Sequence, residues 1–200
     1  MIVSFNEVEV EFIKKLAHVR NDPKYLVKNH KVDESRNDYA IHCQGVAGEL
    51  AVSKALSIPI DTRAILHGDG GVVDLILPDK RTIQVKFRNF RKSLQIPLNK
   101  GEQDKSKEVF LYWNHLAIKQ DRSYRCVCCE RWCRKGEVLL ADIGVMVMPH
   151  EPGKSVEIAG FITREDFIKK HCVQDFGYGK RYAVSHKDLS PIELLIVDDF

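Results

Sequence analysis

Residues 68–88, GDGGVVDLILPDKRTIQVKFR, constrain this chain more than any other stretch. A glycine turn (Gly68, Gly70, Gly71) leads into the apolar run 72–77, which holds one acid, Asp74. A second turn, Pro78-Asp79-Lys80, then returns the chain through 82–87. Two strand-like runs separated by turn residues predict a β-hairpin. Strand side chains alternate with a period of two, so Ile83, Val85 and Phe87 share one face and Gln84, Lys86 and Arg88 the other. A carboxylate, a carboxamide and an ammonium can then meet at the mouth of a small sheet. The same residues taken alone also suit a surface hairpin with a solvated charged face.

The flanking chain supplies the layers. Val8, Phe12, Leu16 and Val19 recur at helical spacing, predicting an amphipathic first helix that ends at Asn21-Asp22-Pro23. Residues 24–37 read as a charged connection with a short helix at 25–29. Ile41, Val46, Leu50 and Leu56, with Ala47, Ala51 and Ala55, predict a second helix over 39–56, whose small residues allow close packing on a sheet. Ile58-Pro59 ends it, and 62–66 reads as a short strand. Further strands are expected at 109–113 within the central sheet, at 156–162 and at 182–184. Apolar 138–148 follows the cysteine segment, and a short helix is expected after Thr163, an N-cap with Asp166 at the reciprocal position. The final apolar segment reads as helix or strand. The whole 1–200 is expected to be a single α/β or α+β domain.

Asp74, then nine residues, then Gln84-Val85-Lys86 resembles the core of the PD-(D/E)xK nuclease superfamily, in the variant where Gln replaces the second acid, as in Mrr-like and phage-type members. Residues 45–56 (GVAGELAVSKAL) resemble that family's first core helix, whose glutamate reaches the same site. Glu49, by itself an ordinary exposed helix glutamate, takes its role from that likeness. Residues 156–167 and 178–194 resemble the family's closing strand and C-terminal segment in outline. The resemblance implies a restriction-endonuclease-like mixed central sheet flanked by helices, with the cysteine-bearing insertion 118–137 within it. It further implies Mg²⁺- or Mn²⁺-dependent hydrolysis of DNA phosphodiesters by Glu49, Asp74, Gln84 and Lys86, in a cytoplasmic protein of prokaryotic or viral origin, with a homodimer among the assemblies it admits. Asp74 would bind the cation directly, with the Gln84 side-chain oxygen and the Val85 carbonyl beside it, and Glu49 would hold a metal water or a second ion. Lys86 would orient the attacking water and offset charge on phosphorus. A DNA-binding module that has lost catalysis, and a zinc-stabilised interaction protein, are the alternatives; the first is suggested by the neutral Gln84.

Net charge is only +3, so partner preference rests on distribution. The densest basic run, 86–92 (KFRNFRK), offers Arg88, Arg91 and Lys92 to a phosphate backbone, or else forms a solvated edge. No apolar run approaches the roughly 18–20 residues that span a bilayer, and the N-terminus lacks the basic and apolar regions of a signal peptide, so an intracellular, non-membrane location is expected. Four of six cysteines crowd into 126–133. Cys126-x-x-Cys129 resembles half of a zinc ribbon, with Cys133 a third ligand; an iron–sulfur cluster and free thiols remain the other readings.

Overall fold

The computed structural model describes residues 1–26, 38–60, 62, 73–88, 110–113, 117–120, 123–126, 132–133, 141–175 and 180–195. Among them the chain forms, in order, β1 (Ile2–Ser4), α1 (Glu7–Leu26), α2 (Asp38–Leu56), β2 (Leu75–Ile76), β3 (Thr82–Phe87), β4 (Phe110–Trp113), β5 (Ala117–Gln120), β6 (Ser123–Cys126), β7 (Trp132–Cys133), β8 (Ile143–Glu151), β9 (Ser155–Thr163), α3 (Arg164–Lys170), β10 (Cys172–Asp175) and β11 (Lys180–Ser185), then two short 3-10 turns. The fold is mixed α+β.

Five strands make the central sheet in the order β1-β9-β8-β3-β2. Only β3 and β8 run parallel; the other neighbours are antiparallel. Both edges of β3 are thus engaged, by β2 and by β8, which makes it the buried strand on which the layers meet. α2 lies over one face of the sheet: Ala51 and Val52 pack with Leu75, Ile83, Val145 and Val147 in the main core, and Val85 and Phe87 join them. The close approach depends on Gly48, where a Cβ would stand 3.3 Å from Val85 Cγ1 and 3.5 Å from the Phe87 ring. On the other face, Met146, Met148 and Ile162 form a second core with Leu111, Phe167 and Val184. The antiparallel sheet β10-β11-β4 and helix α3 therefore back the central sheet from behind.

Local chemistry accounts for the element ends. Asn6 and Glu9 cap α1 reciprocally, Asn6 Oδ1 accepting from the Glu9 N–H at 2.9 Å and the Asn6 N–H donating to Glu9 Oε2 at 2.8 Å. Lys54 ties the end of α2 to the start of the chain through Glu9 (2.7 Å) and the Ser4 carbonyl (2.9 Å). Thr163 caps α3 as expected, its hydroxyl accepting from the Asp166 N–H at 3.1 Å. Gly160 has φ +148, and a Cβ there would lie 2.6 Å from the Ser190 carbonyl, so the tail can cross β9 only over a glycine.

Several expectations are corrected. α1 does not end at Asn21-Asp22-Pro23 but continues to Leu26; a proline close to the C-terminal end forfeits one intrahelical bond without ending the last turn. Its buried stripe is Ile13, Leu16 and Ala17, whereas Val8 is 79% and Val19 47% exposed. The strand at 110–113 is present but pairs with β11 in the second sheet, not in the central one. β8 is already bonded on both edges by β3 and β9, and Leu111 of this strand is buried in the second core instead. β1 and β10 were not anticipated. β2 is shorter than the apolar run that suggested it, and the chain ends its described part in a 3-10 turn, Ile192–Leu195, not a helix or strand. The strand expected at 62–66 lies, apart from Thr62, outside the described residues. No helix among the described residues is long and apolar enough to cross a membrane.

Candidate active site

The β2–β3 hairpin is closed by its own turn. The Leu77 N–H donates to the Arg81 carbonyl at 2.9 Å, and Asp79 accepts from the Arg81 N–H (2.9 Å) and Nε (2.6 Å). Leu75 stands opposite Ile83 and Ile76 opposite Thr82. That register carries Asp74 to the level of Gln84. Leu75 and Leu77 are buried toward α2, so alternation sets Asp74 on the opposite face, with Gln84 and Lys86. The structure thus brings three of the four expected catalytic residues onto one face.

Backbone direction sharpens this. The Ile83 carbonyl accepts from the Asp74 N–H at 2.8 Å, so Ile83 turns its peptide groups toward β2. Val85, two residues on, turns its N–H and C=O to the same edge, where β2 has already ended. Its N–H donates to Asp74 Oδ2 at 2.6 Å. The Asp74 side chain thereby takes the place of a strand partner and is fixed beside the Gln84-Val85 peptide. Gln84 is only 3% exposed, and Lys86 is half-buried one pair further along, beside Met146 of β8.

Asp142 locks the other end of β3. Its Oδ2 accepts from the Thr82 N–H (2.8 Å) and hydroxyl (2.7 Å), and its own N–H donates to Thr82 Oγ1 at 3.0 Å. The Thr82 N–H, the largest influence, holds the Asp142 carboxyl below the usual aspartate range; burial pushes the other way, and the Thr82 hydroxyl and Arg164 add to the lowering. β3 is therefore held in register against β8 from the first residue of the strand.

Glu49 is placed differently. It is 8% exposed, not the exposed helix glutamate its sequence context suggests. It follows Gly48, which rests on Val85 and Phe87, so it stands level with the Gln84–Lys86 pair but on the α2 side of β3. Arg20 Nη1 donates to both of its carboxylate oxygens, at 2.9 and 2.8 Å. Arg20 is the residue that sequence reasoning missed. It continues the stripe Ile13, Leu16, Ala17 at helical spacing, and a cation closing an apolar stripe that faces a glutamate-bearing helix was the available signal.

An oxygen set of the Asp74 carboxylate, the Gln84 amide oxygen and the Val85 carbonyl fits a hard divalent cation, which prefers oxygen ligands and retains waters. Among the described residues no group of three or more His, Cys, Asp or Glu could hold a metal. Of the basic run, Arg88 continues the pairing of β3, its N–H donating to the Val147 carbonyl at 2.8 Å, whereas Arg91 and Lys92 lie outside the described residues. Cys126 closes β6 and Cys133 closes β7 in the separate antiparallel sheet β5-β6-β7; Cys128 and Cys129 lie outside the described residues. The chain matches no protein-family model, no curated protein and no solved structure.

Proposed function

We propose that the chain is a Mg²⁺-dependent DNA nuclease of the restriction-endonuclease-like type, hydrolysing phosphodiester bonds. The observation that carries the reading is the seating of Asp74 against the Gln84-Val85 peptide, with Val85 N–H on Asp74 Oδ2 and Lys86 on the same face. Asp74, the Gln84 side-chain oxygen and the Val85 carbonyl hold the cation. Bound there, Mg²⁺ supplies charge stabilisation at the phosphate and an activated water. Lys86 would orient the attacking water and offset negative charge on the phosphate oxygens, a role that depends on a fixed position. Gln84, being neutral, leaves the site with less negative charge than a second acid would, so tight cation binding draws on the substrate phosphate. Arg88, Arg91 and Lys92 bind the DNA backbone. Cys126, Cys129 and Cys133 hold a structural zinc apart from the catalytic face, since soft thiolates select zinc over Mg²⁺.

Incubation with Mg²⁺ or Mn²⁺ and single-stranded, duplex, flapped and branched DNA tests the reading. Cleavage that Asp74→Ala abolishes is the expected result, and no cleavage of any of these substrates would remove it. Elemental analysis of protein purified without added metal should find about one zinc per chain, lost in Cys129→Ser. A second reading, a DNA-binding module of the same fold without catalysis, is favoured by the Arg20 contact on Glu49; it predicts salt-dependent DNA binding with no product under any of these conditions.

A further inference from the structure

Resting on the nuclease reading, we infer that Arg20 occupies the chelating edge of the Glu49 carboxylate, so that the chain takes a single divalent cation, at Asp74. One nitrogen, Arg20 Nη1, stands 2.9 Å from Oε1 and 2.8 Å from Oε2. A donor nearly equidistant from both oxygens lies on the bisector of the carboxylate, in the notch that a bidentate cation would have to enter. At most one outward lone pair per oxygen is left, which does not suffice for chelation.

Charge and position act in the same direction. A guanidinium keeps its charge throughout the range in which proteins fold, so a divalent ion approaching the same oxygens meets a fixed cation and loses much of its Coulombic gain. Glu49 also belongs to the helix that covers the Val85 and Phe87 face of β3, while Asp74, Gln84 and Lys86 share the other. The pair is durable because it is enclosed: the Arg20 and Glu49 side chains keep 20% and 11% of their exposure. Removing one partner would leave an uncompensated charge in that enclosure. Ile13, Leu16 and Ala17 pack α1 against Val46 of α2 and so hold Arg20 in place.

A pair that merely braces α1 against α2 predicts lower stability without Arg20 and nothing more. Titration of Mn²⁺ into the DNA-free full chain, followed by electron paramagnetic resonance and paired with thermal melts in EDTA and in Mn²⁺, separates the two roles. Wild type should bind about one Mn²⁺, lost in Asp74→Ala and weakened by less than about threefold in Glu49→Gln. Arg20→Gln should bind about two, and its Tm, depressed in EDTA, should recover in Mn²⁺. Arg20→Gln/Glu49→Gln should show neither the second ion nor the recovery. A folded Arg20→Gln that binds a single Mn²⁺ and shows no recovery overturns the inference. So does a loss of roughly tenfold or more in Mn²⁺ affinity in Glu49→Gln, which decides the matter even where Arg20→Gln does not fold. A wild type without an Asp74-dependent Mn²⁺ site overturns the nuclease reading, and the inference with it.

Discussion

On one face of β3, Ile83, Val85 and Phe87 lie under Gly48, Ala51 and Val52 of α2 and belong to the main core. On the other, Gln84 and Lys86 stand with Asp74, next to the Gly144 and Met146 positions of β8. The first face is apolar and interchangeable in kind: any set of side chains of the right volume would hold the helix. The second buries a carboxamide to 3% exposure and fixes a carboxylate on a backbone N–H, arrangements that cost desolvation and give the core little in return. A strand whose two faces differ in this way teaches where to look for chemistry. Within β3 the apolar packing is on the α2 side, and the polar groups kept at some cost are on the other.

The sharpest way to break that contrast is to remove the amine. Lys86→Ala should slow cleavage by roughly 10³-fold while changing the free energy of unfolding by about 1 kcal/mol or less. Single-turnover kinetics beside urea melts measure both, and full activity in this variant would end the assignment of Lys86. Next in size is the opposite face. Ile83→Ala should cost about 2–5 kcal/mol, and Gly48→Val about 1–3 kcal/mol, since even a Cβ at Gly48 meets Val85 Cγ1 at 3.3 Å. The molecules that remain folded should cleave at the wild-type rate; a parallel loss of turnover would show that the two faces are not separable.

A smaller effect concerns the basic run beyond β3. Substituting Arg88, Arg91 and Lys92 together by Ala should reduce the dependence of log affinity on log salt by about 2 to 3. An unchanged slope would mean the run is a solvated edge. The smallest lies at the foot of the strand. Hydrogen bonds from Thr82 lower the Asp142 pKa beneath its ordinary 3.8, so the carboxylate binds fewer protons folded than unfolded. Its contribution is therefore complete above the unfolded value and fades as pH falls through the lowered folded one. Asp142→Asn should lower stability slightly at neutral pH, change it little at the acid end, and so flatten the profile below about pH 4, as followed by melts across pH.

The hairpin, the face-sharing of Gln84 and Lys86, α2 and the Thr163 cap were all legible in the chain itself, because each depends on residues within one turn or on a period of two. The position of Asp74 beside Val85 was legible only in part. The spacing allowed it, but the register that makes it real comes from Leu75 opposite Ile83 and from the clamp of Asp142 on Thr82, sixty residues away in sequence. Helical periodicity misjudged the inner face of α1, since Val8 and Val19 fit an apolar stripe as well as Ile13 and Ala17 do until α2 chooses between them.

What the sequence alone determined was the local grammar: where most helices and strands lie, which side chains alternate, and that an acid, an amide and an amine are spaced so that one hairpin can bring them together. Tertiary structure alone decided partners. It sent the apolar strand at 110–113 to a second sheet because β8 had no edge left to offer. It paired Glu49 with Arg20, a residue 29 positions earlier that the stripe of α1 could suggest but could not assign to a partner. Such pairings are long-range by nature: the free energy of burying a charge is settled by what the folded chain brings within 3 Å of it, and that distance is not a property of any one segment.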